Sequence, residues 1–103
     1  MSVKGAKILM ISAYPYFAAW FGYAEIVKIL APLTDNPNTP DKYGVTPIYR
    51  AAYLGHTEIV KILAPLTGNP NASDETGQTP IHMAALNGHT EIVKILANCR
   101  TYV

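Results

Sequence analysis

A ten-residue segment repeats along this chain at constant spacing. Glu25-Ile-Val-Lys-Ile-Leu-Ala-Pro-Leu-Thr34 returns letter for letter at residues 58–67, and its first seven residues return at residues 91–97. The spacing is 33 residues both times (58 minus 25, and 91 minus 58). A fixed period of this length is typical of proteins built by stacking similar units. The chain is therefore predicted to be a repeat array whose function belongs to an extended surface.

Composition excludes several classes of protein. Half of the residues are hydrophobic, which is too many for a disordered tail, and no apolar run approaches the ~20 residues of a membrane span. The formal net charge is +1 with Lys and Arg scattered, so nucleic acid is not an expected partner. Cys99 is the single cysteine, which excludes an internal disulfide and fits a reduced, cytosol-like setting. The apolar stretch near the N-terminus is short and lacks a cleavage pattern, so no signal peptide is expected, and the compartment stays open.

Residues 46–78 show how one unit is built. Thr46-Pro47 predicts a helix start, because the hydroxyl can cap backbone N–H groups and proline is tolerated at the first helical position. Gly55 is suited to the left-handed conformation that ends this first helix. Thr57 is placed to cap a second helix, whose apolar stripe spans residues 59–63 with Lys61 facing solvent.

The remaining third of the unit is predicted to be irregular. Residues 65–74 contain prolines, asparagines and a glycine, and indicate loop and turn. Gly77 stands where a tight hairpin-like turn needs positive φ, and Asp41 and Asp74 are expected turn formers. Each unit is thus helix, turn, helix and finger, and it is too short to bury its apolar faces alone.

The unit resembles the ankyrin repeat. The pattern Gly-x-Thr-Pro-Ile-x-x-Ala-Ala-x-x-Gly-His-Thr-Glu-Ile-Val-Lys-Ile-Leu is carried by residues 44–63 and again by residues 77–96, and the resemblance covers residues 13–103. It implies an all-α solenoid of about three helix-turn-helix units, with fingers and first helices lining a concave groove that binds other proteins. The expected single domain, residues 1–103, divides into residues 1–12 (an atypical apolar segment), 13–45, 46–78 and 79–103.

The units are unusually alike. Residues 25–57 match residues 58–90 at 23 of 33 positions. This uniformity resembles that of consensus-designed ankyrin repeat proteins, so the chain is interpreted as engineered.

The repeat is broken in two places. Residues 8–11 read Ile-Leu-Met-Ile where a polar finger is expected. This segment is interpreted either as a cap over the end of the stack or as a self-associating segment, because an exposed apolar edge pairs readily with another copy. The second departure is aromatic, since nine of the ten aromatic residues lie between Tyr14 and Tyr53. Aromatic side chains give large contact areas at little cost in rotamer freedom, and binding surfaces favour them.

The resemblance places the pairs that precede each Gly-His, or Gly-Tyr in the first unit, on the concave side, next to the finger residues. Packing between units is the competing interpretation for Tyr16, Phe17 and Tyr49. Arg50 occupies a site where the other units have Phe17 and Met83, so it is expected to stack on a tyrosine or reach the groove. The predicted partner-binding residues are Trp20, Phe21, Lys42, Tyr43, Val45, Arg50, Tyr53, Leu54, Glu75, Gln78 and Leu86.

Catalysis and cofactors are not expected. His56 and His89 lie at inter-helix turns, and His82 matches the family's turn-tying histidine, whose place Tyr49 takes in the middle unit. No two histidines stand at helical metal-binding spacing, so neither a metal nor a cofactor is predicted. The leading hypothesis is a non-enzymatic, engineered scaffold whose aromatic groove binds a protein or peptide. The alternatives are a self-assembling symmetric homo-oligomer and a small-molecule binder whose aromatic pocket is closed by residues 1–15.

Overall fold

The fold is a stack of short helices. A computed structural model of the chain describes residues 18–19 and 21–99. Its helices are α1 (Ala24–Leu30), α2 (Pro47–Leu54), α3 (Thr57–Leu63), α4 (Pro80–Leu86) and α5 (Thr90–Ala97), and Ala18, Ala19 and Phe21 are helical as well. These ranges contain no strand, and the all-α solenoid is confirmed. None of the described helices has the length and apolarity to cross a membrane. The predicted segment 1–12 lies outside the described residues, as do Tyr14, Tyr16, Phe17 and Trp20.

The helices α2 and α4 begin as the Thr-Pro pair predicts. At the start of α2, Thr46 is extended, and its hydroxyl accepts a hydrogen bond from the backbone N–H of Tyr49 at 3.1 Å. Pro47 follows at the first helical position, where its missing N–H costs nothing. The helix ends at Gly55, whose φ of 82° is the left-handed conformation that favours glycine.

The second helices begin and end differently from the prediction. Thr57 is the first helical residue of α3 rather than its cap, and the capping position is taken by His56, whose side chain makes no capping hydrogen bond. Pro65 does not open a loop, because α3 continues into a 3₁₀ turn over Ala64–Leu66. Proline has no N–H to extend the α-helical ladder, and the tighter turn follows at that point. The helix α5 has no proline and runs on to Ala97.

The core lies between the stacked helices. Helix α2 packs against α4, and the second helices α1, α3 and α5 pack in a row. Alanines at the contacts of the first helices, Ala51, Ala52 and Ala84, are fully buried and let neighbouring helices approach closely. The stripe of α3 is buried at Ile59, Val60 and Leu63, and Lys61 is exposed, as its spacing predicts.

Two asparagines 33 residues apart hold the loops to the helices. Asn38 is only 4% exposed, and its Oδ1 accepts a hydrogen bond from the N–H of Ile48 at 2.9 Å. Asn71 donates from Nδ2 to the carbonyl of Leu96 at 3.1 Å. The irregular third of each unit is therefore fixed against the helices, and this positions the fingers.

Candidate functional site

Each finger is a tight turn organised by one aspartate. Oδ1 of Asp41 accepts hydrogen bonds from the N–H groups of Tyr43 and Val45, at 2.9 Å and 3.0 Å. Oδ1 of Asp74 accepts from the equivalent N–H groups of the next finger, at 2.8 Å and 3.0 Å. Gly77 has a φ of 86°, which confirms the positive φ predicted from the turn. The residues directly after each aspartate are therefore presented at the exposed tip.

The fingers are joined to each other and to the preceding first helix. The N–H of Glu75 donates to the carbonyl of Tyr43 at 3.0 Å, which links two successive fingers. The hydroxyl of Tyr49 donates to Oδ2 of Asp74 at 2.9 Å and lies 3.4 Å from Oε1 of Gln78. The two described fingers are thus linked to each other, and the second of them is linked to α2.

Replacement of histidine by tyrosine at residue 49 explains this link. In the last unit, Nδ1 of His82 accepts a hydrogen bond from the N–H of Thr79 at 3.3 Å, so the imidazole ties its own turn, as the resemblance implies. The longer Tyr49 side chain instead reaches Asp74 of the following finger. The tie is therefore changed from one within the helix start to one between the first helix and the finger that follows it.

The pKa values of Asp74 and Tyr49 are shifted in opposite directions at this link. The hydroxyl of Thr76 donates to Asp74 at 2.6 Å and is the main cause that lowers the pKa of Asp74 to about 2. Backbone donation from Gln78 and the Tyr49 hydroxyl lower it further. Burial is the main cause that raises the pKa of Tyr49 above 10.0, and the Asp74 carboxylate adds to it. The charge of Arg50 acts on the pKa of Tyr49 in the opposite direction.

The ends of the first helices are held in register across the stack. The carbonyl of Tyr53 accepts from Nδ2 of Asn87 at 3.2 Å, and it lies 3.2 Å from Nε2 of His89. Because a carbonyl can only accept, Nε2 carries the proton in this contact. His89 thus has the structural role that the resemblance implies, because it contacts the end of the preceding first helix.

Most of the predicted partner-binding residues are solvent-exposed. Phe21 is 60% exposed, Tyr43 50%, Tyr53 43%, Leu54 41% and Leu86 74%. Two of them make ring contacts with neighbours. Phe21 stacks on Tyr23 with ring centroids 5.7 Å apart, and Nζ of Lys42 lies 5.1 Å from the ring centroid of Tyr43. Glu75 and Gln78 are exposed as well, and Arg50 is half-buried. Trp20 lies outside the described residues.

Val45 is buried, contrary to its prediction as a partner-binding residue. It was predicted beside the groove, but it is only 7% exposed and packs in a small cluster with Tyr49 and Met83. Its counterpart Gln78 is exposed, because no further described unit covers that position. Tyr49 is 6% exposed, which agrees with the packing interpretation of that residue.

Two residues of this face did not figure in the sequence prediction. Tyr23 is 54% exposed and stacks on Phe21, and the signal for it was an aromatic residue standing where the other units have His56 and His89. Asn87 links two first helices through the carbonyl of Tyr53. The sequence carries no sign of this bond beyond a polar residue where the middle unit has Leu54.

Residues of the types that bind metals are not grouped in the described part of the chain. Among the described residues, no group of three His, Cys, Asp or Glu side chains is placed to hold a metal ion. The thiol of Cys99 is partly covered and donates to the carbonyl of Ile95 at 3.2 Å. Two cavities, of about 310 Å³ and 460 Å³, are lined by residues of the loops, the second helices and the start of α2, and by none of the predicted partner-binding residues.

Comparison with protein-family models identifies the family. A family model described as ankyrin repeats, in three copies, matches residues 16–103. None of the curated proteins compared with the chain is similar enough to count as a relative.

Proposed function

The chain belongs to the ankyrin repeat family, and on that premise we propose that it binds a protein or peptide through the face formed by its fingers and first helices. Ankyrin repeats commonly mediate binding between proteins. The observation that carries the proposal is the exposure of large apolar side chains along this face, from Phe21 through Tyr53 and Leu54 to Leu86. Exposed apolar surface of this kind marks interaction sites on soluble proteins.

We expect a few aromatic residues of this face to contribute most of the binding free energy. Binding energy at protein interfaces is concentrated in a small number of buried aromatic or arginine residues. Tyr43 and Tyr53 are each about half exposed, so part of each ring is held by the protein while the rest is available to a partner. Partly fixed rings lose little rotamer freedom on binding, and this suits them as anchors.

Polar residues around these anchors would set the orientation of the partner. Lys42 and Glu75 occupy equivalent positions on successive fingers and are exposed. They carry opposite charges, so the two fingers present different electrostatic environments to a bound chain. We assign Arg50 and Gln78 to specificity rather than to affinity as well.

We propose in addition that the array is engineered. The support is its uniformity, because 23 of 33 positions are identical between residues 25–57 and residues 58–90. Seven of the ten differing positions lie in the finger or the first helix, at residues 42, 43, 45, 49, 50, 53 and 54, and these are the elements that a designer of a binding scaffold would vary.

Two leucines of nearly equal exposure provide the test. Leu54 is 41% exposed on the proposed face, whereas Leu66 is 45% exposed in the 3₁₀ turn after α3. Peptides would be selected from a random display library against the full chain, and their affinities measured by titration calorimetry. We expect Leu54→Ala and Tyr53→Ala to weaken binding by about tenfold or more, and Leu66→Ala to leave it unchanged. Equal effects of Leu54→Ala and Leu66→Ala would contradict the proposed face.

A further inference from the structure

Helix α1, the second helix of the first unit, exposes apolar residues whose counterparts in α3 and α5 are buried. Ile26 in α1 is 44% exposed, whereas the equivalent Ile59 and Ile92 are 1% and 0% exposed. Ile29 is 65% exposed, and its counterpart Ile95 is only partly exposed and packs against the core. Identical residues in nearly identical helices thus differ in how far other residues cover them. We refer to the surface of Ile26 and Ile29 as the N-terminal face.

Helix α5, the second helix of the third unit, shows the complementary pattern. Ala31 and Ala64 are 1% and 7% exposed because the next unit covers them, but the equivalent Ala97 is exposed. Val60 is fully buried, whereas the equivalent Val93 of α5 is partly exposed. We refer to the surface of Val93 and Ala97 as the C-terminal face.

Two glycines mark the same difference. A methyl group on Gly55 would lie 2.7 Å from the ring of His89, because the following unit fills that space. At Gly88, which has the same left-handed backbone, the described residues leave the space open. The end of the stack therefore keeps a recess of the shape that elsewhere receives the histidine of a following unit.

The interface between the second and third units shows how these two faces would meet. Ala64 and Ile95 line the same cavity between α3 and α5, so these two positions face each other across that interface. Ala97 lies one 33-residue period after Ala64 and belongs to the C-terminal face. Ile29 lies two periods before Ile95 and belongs to the N-terminal face. The two ends of the described stack are thus the two halves of one interface that the chain already uses internally.

We propose that a second copy of this chain docks head to tail, with its N-terminal face on the C-terminal face of the first. The contact is heterologous, because different surfaces of the two copies meet, and each added copy leaves one free face of each kind. Such a contact does not close on itself unless the rotation forms a ring, so the products are open oligomers of increasing length. This association uses neither Tyr53 nor Leu54 and is independent of the proposed binding face.

Sedimentation velocity of the full chain across a concentration series tests the proposal. The series should reach about 1 mM, where an association worth only about 4 kcal/mol is already half complete. We expect the weight-average mass to rise continuously above the 11.2 kDa of the monomer. A constant monomer mass would overturn the proposal.

A mixing experiment separates head-to-tail contact from a symmetric one. Ile29→Lys blocks the N-terminal face, and Ala97→Lys blocks the C-terminal face, at positions that are exposed in the single chain. Each variant alone is expected to stay monomeric, because every head-to-tail contact needs both faces. An equimolar mixture is expected to form a dimer and nothing larger, since one intact face remains on each partner.

A lysine placed away from both faces controls for the added charge. Ser73→Lys adds the same charge in an exposed loop away from both faces, and it is expected to associate like the parent chain. Circular dichroism spectra and thermal unfolding would confirm that all variants are folded. Association of Ala97→Lys on its own would indicate contact between two N-terminal faces and would overturn the head-to-tail arrangement.

Discussion

Two isoleucines in matching sequence contexts allow the stability that comes from stacking to be measured. Ile59 and Ile26 both follow glutamate and precede Val-Lys-Ile-Leu, but Ile59 is 1% exposed and Ile26 is 44% exposed. We consider Ile59→Ala and Ile26→Ala. The gain in helix propensity from alanine is the same in both helices and cancels in the comparison. The difference between the two variants therefore reports the contact with the preceding unit.

The expected magnitudes follow from burial. Isoleucine to alanine removes three side-chain carbons, which at about 0.8 kcal/mol per buried group is about 2.4 kcal/mol for Ile59. The cavity left in a core that cannot close fully brings the loss at Ile59 into the range of about 2–5 kcal/mol. At Ile26 just over half of the side chain is covered, so the transfer contribution falls to about 1.3 kcal/mol, and an open site leaves no enclosed cavity. We expect Ile59→Ala to be the more destabilising by at least about 1 kcal/mol.

Urea unfolding followed by circular dichroism measures this difference. The protein concentration should be low enough that any association between copies is absent, because docking of a second chain would cover Ile26. Equal free-energy losses for the two variants in dilute solution would refute the reasoning. That result would mean that Ile26 is covered within the single chain as fully as Ile59 is.

Two further predictions concern the turns. Gly55→Ala is expected to lower the free energy of unfolding more than Gly88→Ala does. Both substitutions strain a left-handed backbone, which costs about 1–2 kcal/mol, but only Gly55→Ala also displaces the His89 ring. Equal losses in urea unfolding would contradict this prediction. The pKa of Asp74 is about 2 in the folded protein against an ordinary 3.8, so its contribution to stability is complete above about pH 4 and is lost as the pH falls toward 2. Asp74→Asn should accordingly flatten the fall in stability over that range, and a fall as steep as in the parent chain would exclude this carboxylate as the cause.

The sequence predicts what the units share. The 33-residue period, the Thr-Pro helix starts and the left-handed Gly55 all follow from local rules of capping and backbone conformation. Local rules suffice here because each unit contacts mainly its neighbours. The aspartates of the fingers were predicted on the same basis, and their side chains accept the turn hydrogen bonds.

The sequence does not predict what depends on the neighbouring unit. Val45 reads as a finger residue, but the following unit buries it against Tyr49 and Met83. The hydroxyl of Tyr49 could have bonded within its own turn, and only the placement of the next finger brings Asp74 within reach. Ile26 and Ile59 are indistinguishable by pattern, and their different burial comes from their place in the stack.

The backbone hydrogen bond between successive fingers gives access to the dynamics of the stack. The amide of Glu75 donates to the carbonyl of Tyr43 in the preceding unit, although its own side chain is exposed. Its proton can exchange with solvent deuterium only when the two fingers part. The exchange rate of this one amide therefore reports how often neighbouring units separate while each stays folded. A partner that spans both fingers would slow that exchange.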